Sequence, residues 1–302
     1  MKVVFLGTGG SWPTKYRNVM SVALQFKSEV ILFDCGEGTQ RQMTYTNISF
    51  MKIKRIFITH FHADHFLGIP GLLQTMNLND REEELHIYGP KGTIDLVKSL
   101  LSLGYFKPNF RIYAHDLQPD ELVRGDGYTV KAVRVCHNVP AYGYVFQEDE
   151  RPGKFNKARA LELGIPEGPL FGRLQRGQSI DIDGRIISPE MVLGPPRKGI
   201  KITYSGDTAP CESFLKASED ADLIIHEATF TEEMMEKAGK FGHSTAKGAA
   251  ELARSAKALK LALVHLSPRY ERPEPIIKEA KEVFENVIVP EDLEEIEVKH
   301  RD

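Results

Sequence analysis

The chain has 302 residues and a formal net charge of −3, from 39 Lys and Arg against 42 Asp and Glu, with an apolar share of 41%. This is the composition of a soluble globular protein with room for one large core or two small ones, and it excludes a chain that is basic all over while allowing a local basic patch.

No apolar run approaches the roughly 18 residues of a membrane span, and MKVVFLG opens as a strand without a signal-peptide flank, so a cytoplasmic protein is expected. Cys35, Cys136 and Cys211 are odd in number and lack CxxC spacing, which argues against a disulfide framework or a thiolate zinc site. In chain order, short β-rich runs come first: VVFLG, SVALQF, VILFD and RIFITH, the last running into His60-x-His62-x-Asp64-His65. A helix is expected over residues 66–78, then the strand LHIYG and a second helix over 93–103. YTVKAVRVCH alternates with period two on its way to His137, and YGYVF follows. Residues 151–177 break the pattern: they are punctuated by Gly and Pro and carry six Lys or Arg against two Glu, so an arm with a helical turn over 156–163 is expected. Strands return in IKITYSGD, which ends on Asp207, in DLIIHEAT, which carries His226 and Glu227, and in LALVHLS, which carries His265. Helices are expected over 245–258 and 275–284. Alternating and continuously apolar strands with helices between them point to packed sheets covered by helices.

Four ligand-type residues within six positions, His60, His62, Asp64 and His65, are too close for one helix face, but a loop leaving a strand can fold them around a centre. Imidazole and carboxylate without thiolate suit zinc or another first-row divalent ion. One ion takes roughly four ligands, so a catalytic site with two ions recruits residues from elsewhere in the chain. His137, Asp207 and His265 each end an apolar strand pattern, a placement that delivers them to one edge of the sheets.

These residues resemble the metallo-β-lactamase superfamily, whose signature is HxHxDH followed by a later His, an Asp and a final His. The resemblance implies an α/β fold, an αββα four-layer sandwich with two Zn2+ per chain at one edge. By its pattern His60, His62 and His137 hold one zinc, Asp64, His65 and His265 the other, and Asp207 bridges. The opening LGTGGSWPTKYRNVMS, the phrases His226-Glu-Ala-Thr229 and His243-Ser-Thr245, and GIPEGPLFGRLQRG narrow the resemblance to the ribonuclease Z family, over about residues 6–265. That implies a single domain over 1–302 with an exosite arm inserted at 151–177. It also implies an endoribonuclease that cuts the 3′ trailer from precursor tRNA, leaving a 3′-hydroxyl on the tRNA and a 5′-phosphate on the trailer. The short form of the family is a homodimer whose arm grips the tRNA elbow for the active site of the partner subunit. One departure stands at Pro195-Pro-Arg-Lys-Gly-Ile200, where Ile200 replaces the usual arginine of PPxKGR and Lys201 follows.

Phosphodiester hydrolysis needs a nucleophile, charge stabilisation on phosphorus and a proton for the leaving oxygen, and two metals supply the first two. Asp64 can orient the attacking water or take its proton. His243 lies just before a helix capped by Ser244 or Thr245 and is the candidate acid, with Glu227 raising its pKa and fixing its tautomer. The family assigns the matching residues this role. On the arm, Lys154, Lys157, Arg159, Arg173 and Arg176 are the expected phosphate contacts, and Gly168-Pro169 is expected to form a fixed turn that approaches the RNA backbone. His226 is either the partner of a metal ligand or a buried structural histidine. Trp12 is expected to pack, with stacking on the substrate as the other reading. His86, His115 and His300 fall outside every motif. A small-molecule hydrolase or phosphodiesterase of the same fold is the alternative, and a catalytically dead RNA-binding relative or a redox scaffold is a third reading. The basic arm and the His243 and Glu227 phrases favour the endonuclease.

Overall fold

The computed structural model describes residues 1–301, and among them the strand runs form two seven-stranded sheets. The first sheet takes β1 (Lys2–Gly7), β2 (Ser21–Phe26), β3 (Glu29–Phe33), β4 (Ile53–Phe57), β5 (Leu85–Gly89) and β6 (Ile112–Asp116). The second begins with β7 (Leu122–Gly125), β8 (Tyr128–Arg134) and β9 (Tyr142–Glu148). A separate hairpin, β10 (Ile180–Ile182) with β11 (Arg185–Ile187), interrupts it before β12 (Lys201–Tyr204), β13 (Leu223–Glu227), β14 (Leu261–Val264) and β15 (Val287–Ile288). Finally β16 (Glu295–Glu297) returns to pair antiparallel with β1.

Strands β3 to β6 are parallel in one sheet and β12 to β15 in the other, so within each run the carboxyl ends align. Burial follows the sequence pattern. EVILF of β3 and LALV of β14 are buried throughout, while YTVKAVR of β8 alternates until its last turn. Aromatic side chains fill the space between the sheets, where the ring of Phe33 lies 6.0 Å from that of Tyr144 and 5.7 Å from that of Tyr204. Outside the first sheet, helices Ile69–Leu78 and Thr93–Leu101 bury Leu72, Leu73, Met76 and Val97. Outside the second, helix Ala246–Ser255 buries Ala249, Ala250 and Ala253, small side chains that let its backbone lie close to the strands. The layers are therefore helix, sheet, sheet, helix.

Two local differences from the sequence reading matter. The helix expected over 66–78 is split into Ala63–Phe66 and Ile69–Leu78, with Pro70 in the first turn of the second piece, where its missing N–H costs nothing. The strands carrying site residues also stop early, at Phe57, Tyr204 and Val264, which leaves His60, Asp207 and His265 in the turns just beyond.

The chain divides into two compact units, one of Met1–Phe146 with Lys201–Lys299 and a smaller one built mainly from Gln147–Ile200. The smaller unit contains residues 151–177, expected as an inserted arm, and has a core of its own: Ala160, Ile165, Leu174, Ile180, Ile187 and Val192. Residues 147–200 carry nine Lys or Arg against eight Asp or Glu, because the positive charge of 151–177 is largely offset by Glu148, Asp149 and Glu150 beside it.

Candidate active site

The centre forms where strands end. Thr59 and His60 follow β4, His137 follows β8, Asp207 follows β12, Glu227 closes β13 and His265 follows β14. Left-handed backbone at Gly206 and His265, both with φ of 57°, makes these turns sharp. At Gly206 an added Cβ would stand 2.7 Å from Thr59, and at Gly10 it would stand 2.5 Å from the ring of His265. Glycine at position 10 is what lets the loop after β1 pass over that imidazole.

The structure brings together His60, His62, Asp64, His65, His137, Asp207 and His265. Ligand atoms of His60, His62, His137 and Asp207 lie within 4.8 Å of one another, as do those of Asp64, His65 and His265. Asp207 reaches both groups: Oδ2 is 3.7 Å from His60 Nε2 and 3.3 Å from His265 Nε2, and Oδ1 is 3.4 Å from His65 Nε2. Asp64 Oδ2 stands 3.4 Å from His265 Nε2 and accepts the Ser11 N–H at 2.7 Å.

Hydrogen bonds on the far side of the rings settle which nitrogen faces the centre. Thr59 Oγ1 donates to the Asp34 carboxylate, so it can only accept at His60 Nδ1, 3.0 Å away. Thr229 Oγ1 donates to Glu227 Oε2 at 2.6 Å and by the same logic accepts from His265 Nδ1 at 2.8 Å. His65 Nδ1 donates to Asp34 Oδ2 at 2.8 Å, and His137 Nδ1 donates to the Gly242 carbonyl at 2.8 Å. Four imidazoles thus keep Nε2 for the centre. His65 Nε2 and Asp207 Oδ1 are buried without a hydrogen-bond partner, and His60 Nε2 and His62 Nδ1 face each other at 2.9 Å. Orphaned lone pairs converging in this way fit a divalent cation. Burial, with repulsion from His65, keeps His60 well below the usual histidine range; burial and His137 lower His62. Burial opposes ionisation of Asp207, but His265 and His65 outweigh it and hold the carboxyl well below its usual range.

Beside this cluster, His243 Nδ1 lies 2.8 Å from Glu227 Oε1. Glu227 is buried and also accepts the Thr208 N–H at 2.8 Å and the Thr229 N–H at 3.2 Å. Burial works against protonation of His243, but the Glu227 carboxylate, helped by Asp207, pushes the imidazole up to about 9. The loop is pinned on its far side. Ser244 Oγ donates to the Thr208 carbonyl at 2.7 Å, and Thr245 caps the next helix by accepting the Gly248 N–H at 3.1 Å. His243 also falls within ligand range of Asp207 and His265. A carboxylate at Nδ1 favours the protonated imidazole, which is a poor metal ligand.

Asp34, Thr59, Thr229 and Ser11 escaped the sequence reading. Asp34 is fully buried and accepts from Thr59, His65 and Tyr204; its one signal was its place at the end of the apolar run VILFD. His226 resolves to the structural reading, since its Nδ1 donates to the Glu227 carbonyl at 2.7 Å and its ring packs on Phe214. Trp12 is 61% exposed instead of packed, and it lines a cavity of about 470 Å³ with Lys15, Tyr16, Arg269 and Tyr270. His86 and His115 pair with each other at 3.0 Å, and His300 pairs with Glu148.

In the insert, Lys157 pairs with Glu167 and Arg159 with Glu162. Gly168 and Pro169 do not form a turn at a tip. They open the helix Pro169–Gln175, which carries Arg173, with Arg176 at its end; Lys154 lines a shallow cavity beside Phe155 and Asn156. Ile200 is buried and supplies no charge, and Lys201 Nζ donates to the Glu219 carbonyl at 2.7 Å. Among the described residues no helix is long and apolar enough to cross a membrane.

A family model described as anti-Pycsar protein Apyc1 matches residues 1–150, and one described as β-lactamase superfamily domain matches residues 190–266. The chain is 49% identical to ribonuclease Z of Methanosarcina acetivorans over 302 residues, covering 100% of this chain and 99% of that protein. It is 50% identical to ribonuclease Z of Thermococcus kodakarensis, covering 99% and 95%. Among solved structures, human tRNase Z, short form, superimposes with a TM-score of 0.74 at 30% identity, covering 99% of this chain and 100% of that one. A metallo-β-lactamase fold protein from Bacillus subtilis has a TM-score of 0.71 at 21% identity, covering 98% of each chain, a likeness of fold. Sequence, layers and relatives agree: the chain belongs to the ribonuclease Z family and has the metallo-β-lactamase fold.

Proposed function

We propose that this chain performs the reaction of its family, hydrolysing one phosphodiester of precursor tRNA to release the 3′ trailer with a 5′-phosphate and leave a 3′-hydroxyl on the tRNA. The observation that supports this reading is His243 Nδ1 at 2.8 Å from Glu227 Oε1, set beside two groups of His and Asp side chains whose ligand atoms converge. His60, His62 and His137 would hold one Zn2+ and Asp64, His65 and His265 a second, with Asp207 within reach of both groups. When bound, the ions supply Lewis acidity toward the phosphate and lower the pKa of water. Asp64 orients the attacking water or accepts its proton. Glu227 fixes Nδ1 of His243, which leaves Nε2 to give its proton to the departing ribose 3′-oxygen. Trp12 and Tyr16, with Lys15 and Arg269 in the same cavity, offer aromatic faces and charge to nucleotides beside the scissile bond. The inserted unit grips the tRNA away from phosphorus through Lys154, Lys157, Arg159, Arg173 and Arg176, and in a homodimer it serves the centre of the partner subunit.

The test separates metal binding from proton transfer. His243→Ala should keep two zinc ions per chain by elemental analysis yet cleave pre-tRNA roughly 100- to 10,000-fold more slowly, the span of general acid catalysis. Asp207→Ala should lose metal. On a nitrophenyl phosphodiester, whose leaving group needs no acid, the His243→Ala defect should shrink. Metal loss in His243→Ala would instead make it a ligand, and a full-activity parent with one ion would end the two-metal reading.

A further inference from the structure

Asp292 is half-buried between β15 and β16, on a segment zipped onto β1: the Leu293 N–H donates to the Phe5 carbonyl at 2.6 Å and the Phe5 N–H to the Glu294 carbonyl at 3.0 Å. An aspartate in a polar stretch such as PEDLEE ordinarily bonds its own backbone two residues on. This one accepts from four donors that lie between 250 and 284 residues away. Oδ1 takes the Thr8 N–H at 3.0 Å and the Thr8 hydroxyl at 2.7 Å, while Oδ2 takes the Asn18 N–H at 2.5 Å and Gln42 Nε2 at 3.1 Å. Thr8 and Asn18 stand at the two ends of the loop between β1 and β2, where the Gly9 N–H donates to the Asn18 carbonyl at 2.8 Å. One carboxylate thus spans the neck of the loop with an oxygen for each end. Arg17 ties the same neck, since its Nη1 donates to Thr8 Oγ1 and, at 2.8 Å, to the Pro290 carbonyl.

What the loop carries makes its closure matter. Its Ser11 N–H meets Asp64 Oδ2 at 2.7 Å, Gly10 passes over the His265 ring, and Trp12, Lys15 and Tyr16 line the cavity with Leu266, the neighbour of His265. We propose that Asp292 is a positioning residue for substrate, whose carboxylate holds this loop closed so that Trp12 and Tyr16 stand ready to stack on nucleotides beside the scissile bond. The part of the loop nearest the centre has further anchors: the Gly10 N–H donates to the Leu266 carbonyl at 3.0 Å and the Leu266 N–H to the Thr8 carbonyl at 3.1 Å. Loss of the clamp therefore falls on the residues that meet nucleotides more than on those beside the proposed metal ligands. Asp292→Asn is the informative change, because it keeps the size and shape of the side chain. Whichever way the amide turns, its NH2 group is set against two donors, either both of Thr8 or those of Asn18 and Gln42, so one end of the neck is released.

The effect on substrate rests on that cavity taking nucleotides, as proposed above, whereas the clamp itself does not. Trp12 is the only tryptophan, so time-resolved fluorescence anisotropy reads this loop in zinc-loaded protein without RNA. In Asp292→Asn the residual anisotropy of Trp12 should fall. KM for pre-tRNA should rise roughly 5- to 150-fold, the span of one lost stack of a base on an aromatic ring, while kcat, bound zinc and hydrolysis of a nitrophenyl phosphodiester stay near the parent. Thr8→Val removes the hydroxyl link and keeps the Thr8 N–H, so it should move both readouts the same way by less, and it carries the test should Asp292→Asn fail to fold. Gln42→Leu removes the one donor outside the loop and should move neither. Unchanged anisotropy in Asp292→Asn and Thr8→Val overturns the clamp, and an equal rise in KM from Gln42→Leu reduces Asp292 to packing. A fall in kcat at constant KM would place its action at the metal centre and overturn the substrate role, as would a freer Trp12 with unchanged KM. Trp12→Ala in the parent background tests the underlying reading separately: unchanged KM there removes the cavity from nucleotide binding, whatever the anisotropy of the Asp292 variant shows.

Discussion

A hydroxyl donates and accepts at once, and Thr59 and Thr229 use both capacities to join a carboxylate to an imidazole. Thr59 links Asp34 to His60, while Asp34 also holds His65 directly; Thr229 links Glu227 to His265. Each carboxylate therefore fixes tautomers that ring chemistry alone leaves free. Asp34→Asn replaces one acceptor oxygen by an amide donor, which cannot accept from His65 and Tyr204 together. Zinc affinity should fall about 10- to 100-fold in a competition titration with a chelating dye; unchanged affinity would reduce Asp34 to packing. Glu227→Gln bears on pH. The donor must carry its proton, so activity is present below the pKa of His243 and lost as pH rises through it. Burial lowers that pKa and Glu227 is the largest influence raising it, toward about 9. Removing the carboxylate should therefore move the alkaline limb of the kcat/KM profile to lower pH, and a limb that stays put would assign it to another group. His60, His62, Asp64, His65, His137, Asp207 and His265 were legible because histidine and aspartate crowd or end apolar runs. Thr59 and Thr229 were not, because threonine is ordinary at a strand end and gains its role only once two strand ends meet.

Among the elements, the helix Ala246–Ser255 joins site to scaffold. Its N-cap Thr245 accepts the Gly248 N–H and donates to Glu232 Oε2 at 2.9 Å, while its Ala face is buried, so the loop holding His243 is fixed from behind. Thr245→Ala should cost about 1 kcal/mol in denaturant unfolding. It should slow pre-tRNA cleavage while leaving zinc content alone, since the proposed metal ligands lie on other segments. Loss of zinc in this variant would show that the cap supports the metal centre too. That helix and the buried strands could be read in advance because their apolar periodicity is strong. Helices Glu212–Ala217 and Met235–Phe241 and the strands β6 and β7 could not, for they are short, mixed in polarity and held by what they pack against.

At the scale of the whole molecule, the residues of the proposed chemistry and the proposed contacts beside the scissile bond belong to the larger compact unit, and the proposed remote tRNA contacts to the smaller one. Grip and cleavage should then be separable, provided the cut respects the fold. Excising 151–177 alone would remove Ala160, Ile165 and Leu174 and leave Ile180, Ile187 and Val192 without a core. The better boundary is visible in the backbone. The Arg151 N–H donates to the Arg197 carbonyl at 2.8 Å and the Arg197 N–H to the Arg151 carbonyl at 2.9 Å, so the two ends of the insert lie side by side. A short Gly/Ser loop in place of residues 152–196 should close that gap and keep two zinc ions and near-parent hydrolysis of a nitrophenyl phosphodiester. Pre-tRNA cleavage should collapse through KM, because the lost contacts are proposed to bind the tRNA away from the scissile bond. The salt dependence of binding should flatten by up to about one unit of slope for each phosphate contact removed. Lys157 and Arg159 are tied to exposed carboxylates, and such pairs are worth only about 0–1 kcal/mol, so both remain available to phosphate. Mixing the excised chain with His243→Ala chains, which keep their inserts, tests the homodimer: recovered activity requires one chain's insert to serve the other's centre. Normal cleavage by the excised chain would remove the exosite from the reading, whereas weakened binding without rescue on mixing would remove only its action across subunits.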